Sequence, residues 1–149
     1  MKATLEKYNI RDTKKHYCDI NNKVLSGLEI ITCKANTSKN VSHVKKQYMD
    51  HLLKNIKFSI KEEFDKELKG WTISVNELNL YGEGATKEEA TEDLLNSILE
   101  FAEIYLEKVD LYSKVESIET QIYMLKVLRC QGNKDILREE LGLRYARKI

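Results

Sequence analysis

A chain of 149 residues is one ordinary domain or two very small ones, long enough to bury ~68–70% of its unfolded surface without help from disulfides or metal. With 42% hydrophobic and 33% charged residues it is no extended disordered chain, and apolar runs of four residues at most exclude a membrane-spanning helix. The net charge of +1 conceals a split: residues 1–55 carry 11 Lys+Arg against 5 Asp+Glu, net +6, and residues 56–149 carry 14 against 19, net −5.

The first seven residues, Met1 to Lys7, lack the apolar core of a secretory signal, which points to a cytoplasmic protein whose Cys18, Cys33 and Cys130 stay reduced. Residues 3–10 alternate loosely and predict a short strand. Asp12 or Thr13 can cap a following helix carrying Tyr17, Ile20, Val24 and Leu25 at helical spacing, closed by Gly27. Leu28 to Cys33 is β-branched and apolar enough for a strand. Residues 34–40 read as a turn, and Ser42 as the cap of a helix with Val44, Tyr48, Leu52 and Leu53 along one stripe.

Residues 56–64 have period two, with Ile56, Phe58 and Ile60 on one face and Lys57, Ser59 and Lys61 on the other. Trp71, Ile73 and Val75 repeat that pattern, so the two segments predict an antiparallel hairpin with a loop at Asp65 to Gly70. Gly82 to Thr86 is a turn, and Thr86 with Glu89 forms a capping box. A long helix at about 85–108 follows, with Ala90, Leu94, Ile98, Phe101, Ala102 and Tyr105 in its stripe, expected to pack on the hairpin. Further helices are expected at Ile118–Cys130, closed by Gly132, and at Lys134–Leu141, followed by Gly142. The absence of proline suits this helix-rich, α+β reading.

Catalytic signatures are thin, and the chain reads as a non-enzyme without cofactor. The three cysteines have no paired spacing, which leaves them as ordinary buried or half-buried thiols. His16, His43 and His51 lack the spacing of a helical metal pair, although His43 and His51 could share a helix face. Gly82-Glu-Gly84 opens an acidic helix that would repel phosphate. The acids at 88–93 are explained by helix capping and the helix dipole. More informative are Arg11, Lys14 and Lys15, placed in the first turn of the first helix. Cations there oppose the dipole, which suggests selection for an external anion, and Lys34 and Lys39 extend the patch.

The string from Trp71 to Leu95, with its strand and its Gly84-Ala-Thr86-Lys-Glu-Glu89-Ala90 turn into an acidic helix, resembles the middle of a Phd-like antitoxin family. Ile122 to Leu128 is similar to that family's C-terminal segment. Residues 8–53 resemble the N-terminal prevent-host-death (Phd/YefM) module of type II toxin–antitoxin systems: a strand, a helix opening on Arg11, a Gly before Leu28-Glu-Ile-Ile-Thr32, then Val41-Ser42. That module carries an aliphatic third strand before its Val-Ser, whereas Asn36 to Asn40 is polar here. HicB-type antitoxins share the 71–90 pattern, and their resemblance implies a non-catalytic interaction or regulatory protein without DNA binding.

The Phd-like resemblance implies two parts, residues 1–55 for dimerisation and DNA binding and residues 56–149 for toxin binding. It implies an antitoxin that neutralises a cognate RNase-type toxin by direct binding and represses its own operon as a homodimer. The charge split suits that division, with phosphates for the basic third and a basic toxin for the acidic remainder. The residues expected on operator DNA are Arg11, Lys14, Lys15 and Lys34. Those expected on the toxin are Leu111, Tyr112, Ile118, Tyr123, Leu125, Leu128, Ile136 and Leu141, more apolar surface than two short helices can hide against each other.

Overall fold

Asn9 decides where the first helix begins. Its side-chain oxygen accepts the Asp12 N–H at 2.8 Å, so strand β1 (Lys7–Asn9) passes at once into α1 (Ile10–Lys15). The expected caps, Asp12 and Thr13, lie inside the helix, and the Thr13 hydroxyl donates to the Asn9 carbonyl at 2.8 Å. The computed structural model describes residues 4–35 and 37–143. Ala3 and Asn36, assigned above to the first strand and the turn, lie outside them. The chain divides into two compact units, Met1–Asn55 and Ile56–Ile149.

In the first unit the helix bends at His16 and resumes as α2 (Tyr17–Leu25), which buries Ile20 and Val24. Gly27 follows at φ +103°, and β2 (Ile30–Cys33) pairs parallel with β1, Asn9 beside Cys33. Val41 and Ser42 do not start a helix. They belong to a third strand, β3 (Asn40–His43), antiparallel to β2 with Thr32 opposite Val41 and Ile31 opposite Ser42. The ladder satisfies both backbones at once, which a single serine cap does not. Ser42 instead donates to the Glu29 carboxylate. The helix begins four residues later, as α3 (Lys46–Lys54). The polar stretch therefore contributes Asn40 to a third strand whose other residues follow it, and the sheet order is β1-β2-β3.

In the second unit β4 (Ile60–Asp65) is shorter than the period-two pattern. Ahead of it, side chains claim the backbone. Glu77 accepts the Ser59 N–H at 2.6 and 2.9 Å, Tyr123 donates to the Lys57 carbonyl at 3.1 Å, and Lys126 donates to the Ile56 carbonyl. β5 (Gly70–Val75) pairs antiparallel with β4, Phe64 opposite Trp71. A one-turn helix at Asn76–Leu78 leads to a further strand, β6 (Leu80–Gly84), so the hairpin is a three-stranded sheet. Gly82 and Gly84 read as a turn because glycine is rare inside strands. Here they are needed, since a Cβ on Gly82 would stand 2.2 Å from the Leu94 nitrogen and one on Gly84 2.6 Å from the Ala90 nitrogen.

The helix resting on those glycines is α4 (Lys87–Glu107), close to its expected span. Thr86 accepts the Glu89 N–H at 3.1 Å and Glu89 accepts the Ala85 N–H at 2.8 Å. After Lys108 come α5 (Val109–Val115), not separated in the sequence reading, then α6 (Ile118–Leu128) and α7 (Lys134–Glu140). Ile73 and Val75 of the sheet, Leu94 and Ile98 of α4, Met124 and Val127 of α6 and Leu137 of α7 form one buried core. The fold is α+β, and among the described residues no helix is long and apolar enough to cross a membrane.

Candidate interaction sites

In the first unit the strand register gathers the basic residues at one end of the sheet. Asn9, beside Cys33, lies two residues before Arg11, and Cys33 is followed by Lys34, whose N–H donates to the Lys39 carbonyl across the turn at 3.2 Å. Arg11, Lys14, Lys15 and Lys34 are all exposed. Because Asn9 caps the helix early, only Arg11 lies in the first turn of α1. Lys14 and Lys15 lie in its last turn, where the carbonyl end favours cations, so they do not oppose the dipole as expected. By contrast Lys23 is engaged: it pairs with Glu6 at 2.8 Å, and Tyr8 donates to the same carboxylate at 2.6 Å. The hydrogen bond from Lys23 holds Glu6 below the usual carboxylate range.

The same unit has a thin core of Ile20, Val24 and Ile30 with Tyr8 against it. Tyr17, Leu25, Leu28, Tyr48 and Leu52 remain exposed. Gln47, Tyr48, His51 and Leu52 line an open groove of about 510 Å³. His43 lies in β3, with Nε2 3.1 Å from the Thr32 hydroxyl, so it shares no helix face with His51. Cys18 is exposed, contrary to expectation, while Cys33 is half-buried and Cys130 buried. Burial pushes the Cys130 thiol up to about 11.

In the second unit the acids at the start of α4 do more than cap. Glu88 and Glu92 hold the Arg138 guanidinium at 2.8 and 2.5 Å, and Glu92 also meets Lys134 at 3.1 Å. Asp93 accepts the Glu83 N–H at 2.9 Å. The hydrogen bond from Lys134, outweighing partial burial, lowers the Glu92 pKa. These ion pairs lock α7 onto α4, and no local pattern announces them because the partners lie 42 to 50 residues apart.

The eight apolar residues of the C-terminal region separate into two groups. Leu141 is buried in the core, and Tyr112, Tyr123 and Leu128 are half-buried against it. Tyr112 anchors α5 by stacking on Tyr105 at 5.0 Å between ring centres. Leu111, Ile118, Leu125 and Ile136 remain exposed. Val115, not among the residues expected from the sequence, is 65% exposed, against 54% for Leu111 one turn earlier and 76% for Ile118 at the start of α6. Its signal was an apolar residue four positions after Leu111, continuing a face that the core does not use. The junction carrying them is ordered: Ser117 accepts the Thr120 N–H at 3.1 Å and Gln121 donates to the Glu116 carbonyl at 3.0 Å. Among the described residues no cluster of His, Cys, Asp or Glu could hold a metal ion.

Residues 1–140 match the model of the PHD_like family, whose description is antitoxin of toxin-antitoxin, RelE / RelB, TA system. Among solved structures the chain is similar to an antitoxin part of a toxin/antitoxin system from Syntrophomonas wolfei subsp. wolfei, with a TM-score of 0.67 and 18% identity, covering 96% of this chain and 99% of that one. At that identity the likeness speaks to the fold. A search of curated proteins gives no match.

Proposed function

The chain belongs to the PHD_like family of antitoxins of RelE/RelB toxin–antitoxin systems, and on that premise we propose that it neutralises an RNase-type toxin through residues 56–149 and represses its own operon through a dimer of residues 1–55. One observation carries the toxin reading: Leu111 and Val115, one turn apart on α5, and Ile118 at the start of α6 are exposed apolar residues flanking a hydrogen-bonded helix junction, outside the core. Isolated exposed leucines are ordinary, whereas neighbouring ones on ordered backbone suit a partner's groove. Leu125 on α6 and Ile136 on α7 are exposed as well, and Leu141 serves the core instead.

The exposed acids Glu100, Glu103 and Glu107 of α4 would steer a basic toxin toward it. Dimerisation of residues 1–55 is supported by the thin core, which leaves large apolar side chains such as Tyr17, Leu25, Leu28, Tyr48 and Leu52 to be covered by a second copy. DNA contact is supported by the shared placement of Arg11 and Lys34 at one end of the sheet, with Lys14 and Lys15 on the adjoining helix.

The test is a Val115→Glu and Ile118→Glu double variant, titrated against the toxin encoded beside this chain. The expected result is binding weakened at least ~10-fold, about 1.4 kcal/mol, with unchanged thermal unfolding and loss of growth rescue on co-expression. Undiminished affinity would remove this surface from the interface.

A further inference from the structure

Hydrogen-bond parity leaves one edge of the second unit's sheet open. The Asn76 N–H donates to the Ser59 carbonyl at 3.1 Å. Stepping along the antiparallel ladder in twos, Lys61, Glu63 and Asp65 turn their N–H and C=O groups toward β5. Ile60, Glu62 and Phe64 turn theirs away from the sheet. The opposite edge is closed: the same alternation points the Glu83 N–H outward, where Asp93 accepts it at 2.9 Å, and α4 lies against Gly82 and Gly84. β4 has no such cover. Among the described residues no strand pairs with its outer side, and five of its six residues are exposed.

We propose that β4 pairs antiparallel with β4 of a second copy of this chain, about a two-fold axis at Glu62, joining two three-stranded sheets into one of six strands. Its charge pattern selects that register. With the axis at Glu62, Lys61 stands opposite Glu63 of the second copy, twice, on the open face. Ile60 stands opposite Phe64, twice, on the face that α4 covers. The outward backbone groups of residues 60, 62 and 64 then meet in three hydrogen-bonded pairs. Lys61 and Glu63 already form a same-strand ion pair at 2.7 Å, so across the joint each charge gains a second opposite neighbour.

Moving the axis by one residue sets Lys61 against Lys61, or Glu63 against Glu63, and places Ile60 or Phe64 opposite Glu62. The cost of the chosen register is one Glu62–Glu62 contact. Each of these carboxylates brings its own counter-ion, since Lys87 holds Glu62 at 2.9 Å while lying 4.6 Å above the Trp71 ring. An edge rich in charge resists indiscriminate pairing, and an alternating pattern that matches itself in one register admits one partner.

Sedimentation velocity of the full chain over a concentration series tests this with Lys61→Glu, Glu63→Lys and their combination. Each single variant sets like charges across the joint and is expected to lose one association step, with its midpoint shifted on the order of tenfold. The two single variants mixed in equal amounts place acids at positions 61 and 63 of one chain against lysines at both positions of the other, and are expected to regain the step. The combined variant, which reverses both charges in one chain, is expected to regain it as well. Far-UV circular dichroism confirms that each variant is folded. Single variants that associate like the unmodified chain, or a mixture that associates no better than its components, would overturn the proposal. The pairing does not rest on the antitoxin reading, and association through residues 1–55 is untouched by these substitutions.

Discussion

At Gly82 the chain has no room for a single further carbon, because the α4 backbone stands where a Cβ would be, 2.2 Å from the Leu94 nitrogen. Backbone cannot step aside as a side chain can, so Gly82→Ala is expected to cost about 3 kcal/mol in a urea titration. Gly132→Ala meets open space and pays only for a φ of +73°, about 1 kcal/mol, which separates crowding from conformational strain. Charge at the residue scale shows in Glu92. Its folded-state pKa is depressed, chiefly by Lys134, so its stabilisation is present above the ordinary value of 4.5 and is lost as pH falls through the lower folded value. Lys134→Met should therefore reduce stability at neutral pH and weaken its fall in acid, as followed by circular dichroism from pH 7 to about pH 2. Between the cysteines, exposed Cys18 should react with a thiol reagent in the native protein, while buried Cys130 should react only on unfolding.

Among the elements, α5 differs in kind from α6 and α7. No residue of α5 is buried, whereas α6 and α7 deliver Met124, Val127 and Leu137 to the core, and Arg138, 2% exposed, to the acids of α4. Truncation after Asp110 would strip those groups from the sheet and helix beneath them. The truncated chain is expected to lose the cooperative transition of residues 56–149 in thermal unfolding, so lost toxin binding by such a fragment would say little about the interface. By contrast Val115→Ser on α5 is expected to change stability by no more than ~0.5 kcal/mol. The contrast explains why point substitutions on α5 and the start of α6, rather than deletion, can separate recognition from folding.

For the whole molecule, the charge split of +6 on residues 1–55 and −5 on residues 56–149 sets what each part attracts. If residues 1–55 dimerise on operator DNA, Arg11, Lys14, Lys15 and Lys34 are doubled, and ~6–8 phosphate contacts make binding fall steeply with salt. Lys14→Ala should weaken binding to all sequences and flatten the salt slope by about two units for the pair of sites. Arg11→Ala should in addition relax sequence preference, by ~1–3 kcal/mol, since a planar guanidinium can hold a guanine edge. Band shifts of the chain's own upstream DNA at several salt concentrations measure both effects. Light scattering at high micromolar concentration tests the dimer, and a monomer there would remove the doubled site.

What this sequence determined by itself was local. Thr86 and Glu89 announce the start of α4 because both partners of a capping box lie within one turn, and the Ala90-to-Tyr105 stripe announces its buried face. Trp71, Ile73 and Val75 announce a half-buried strand because alternation is a property of a single segment. The resemblance around those residues was legible for the same reason. Tertiary structure decided what depends on distant partners: that Asn40–His43 is a strand because β2 lies beside it, and that Gly82 and Gly84 form a strand because α4 presses on them. It also decided that Arg138 is held by Glu88 and Glu92, and that Leu141 is core while Val115 is surface. A backbone group or an apolar side chain takes whichever partner satisfies it, and when that partner belongs to another element no pattern within the segment records the choice.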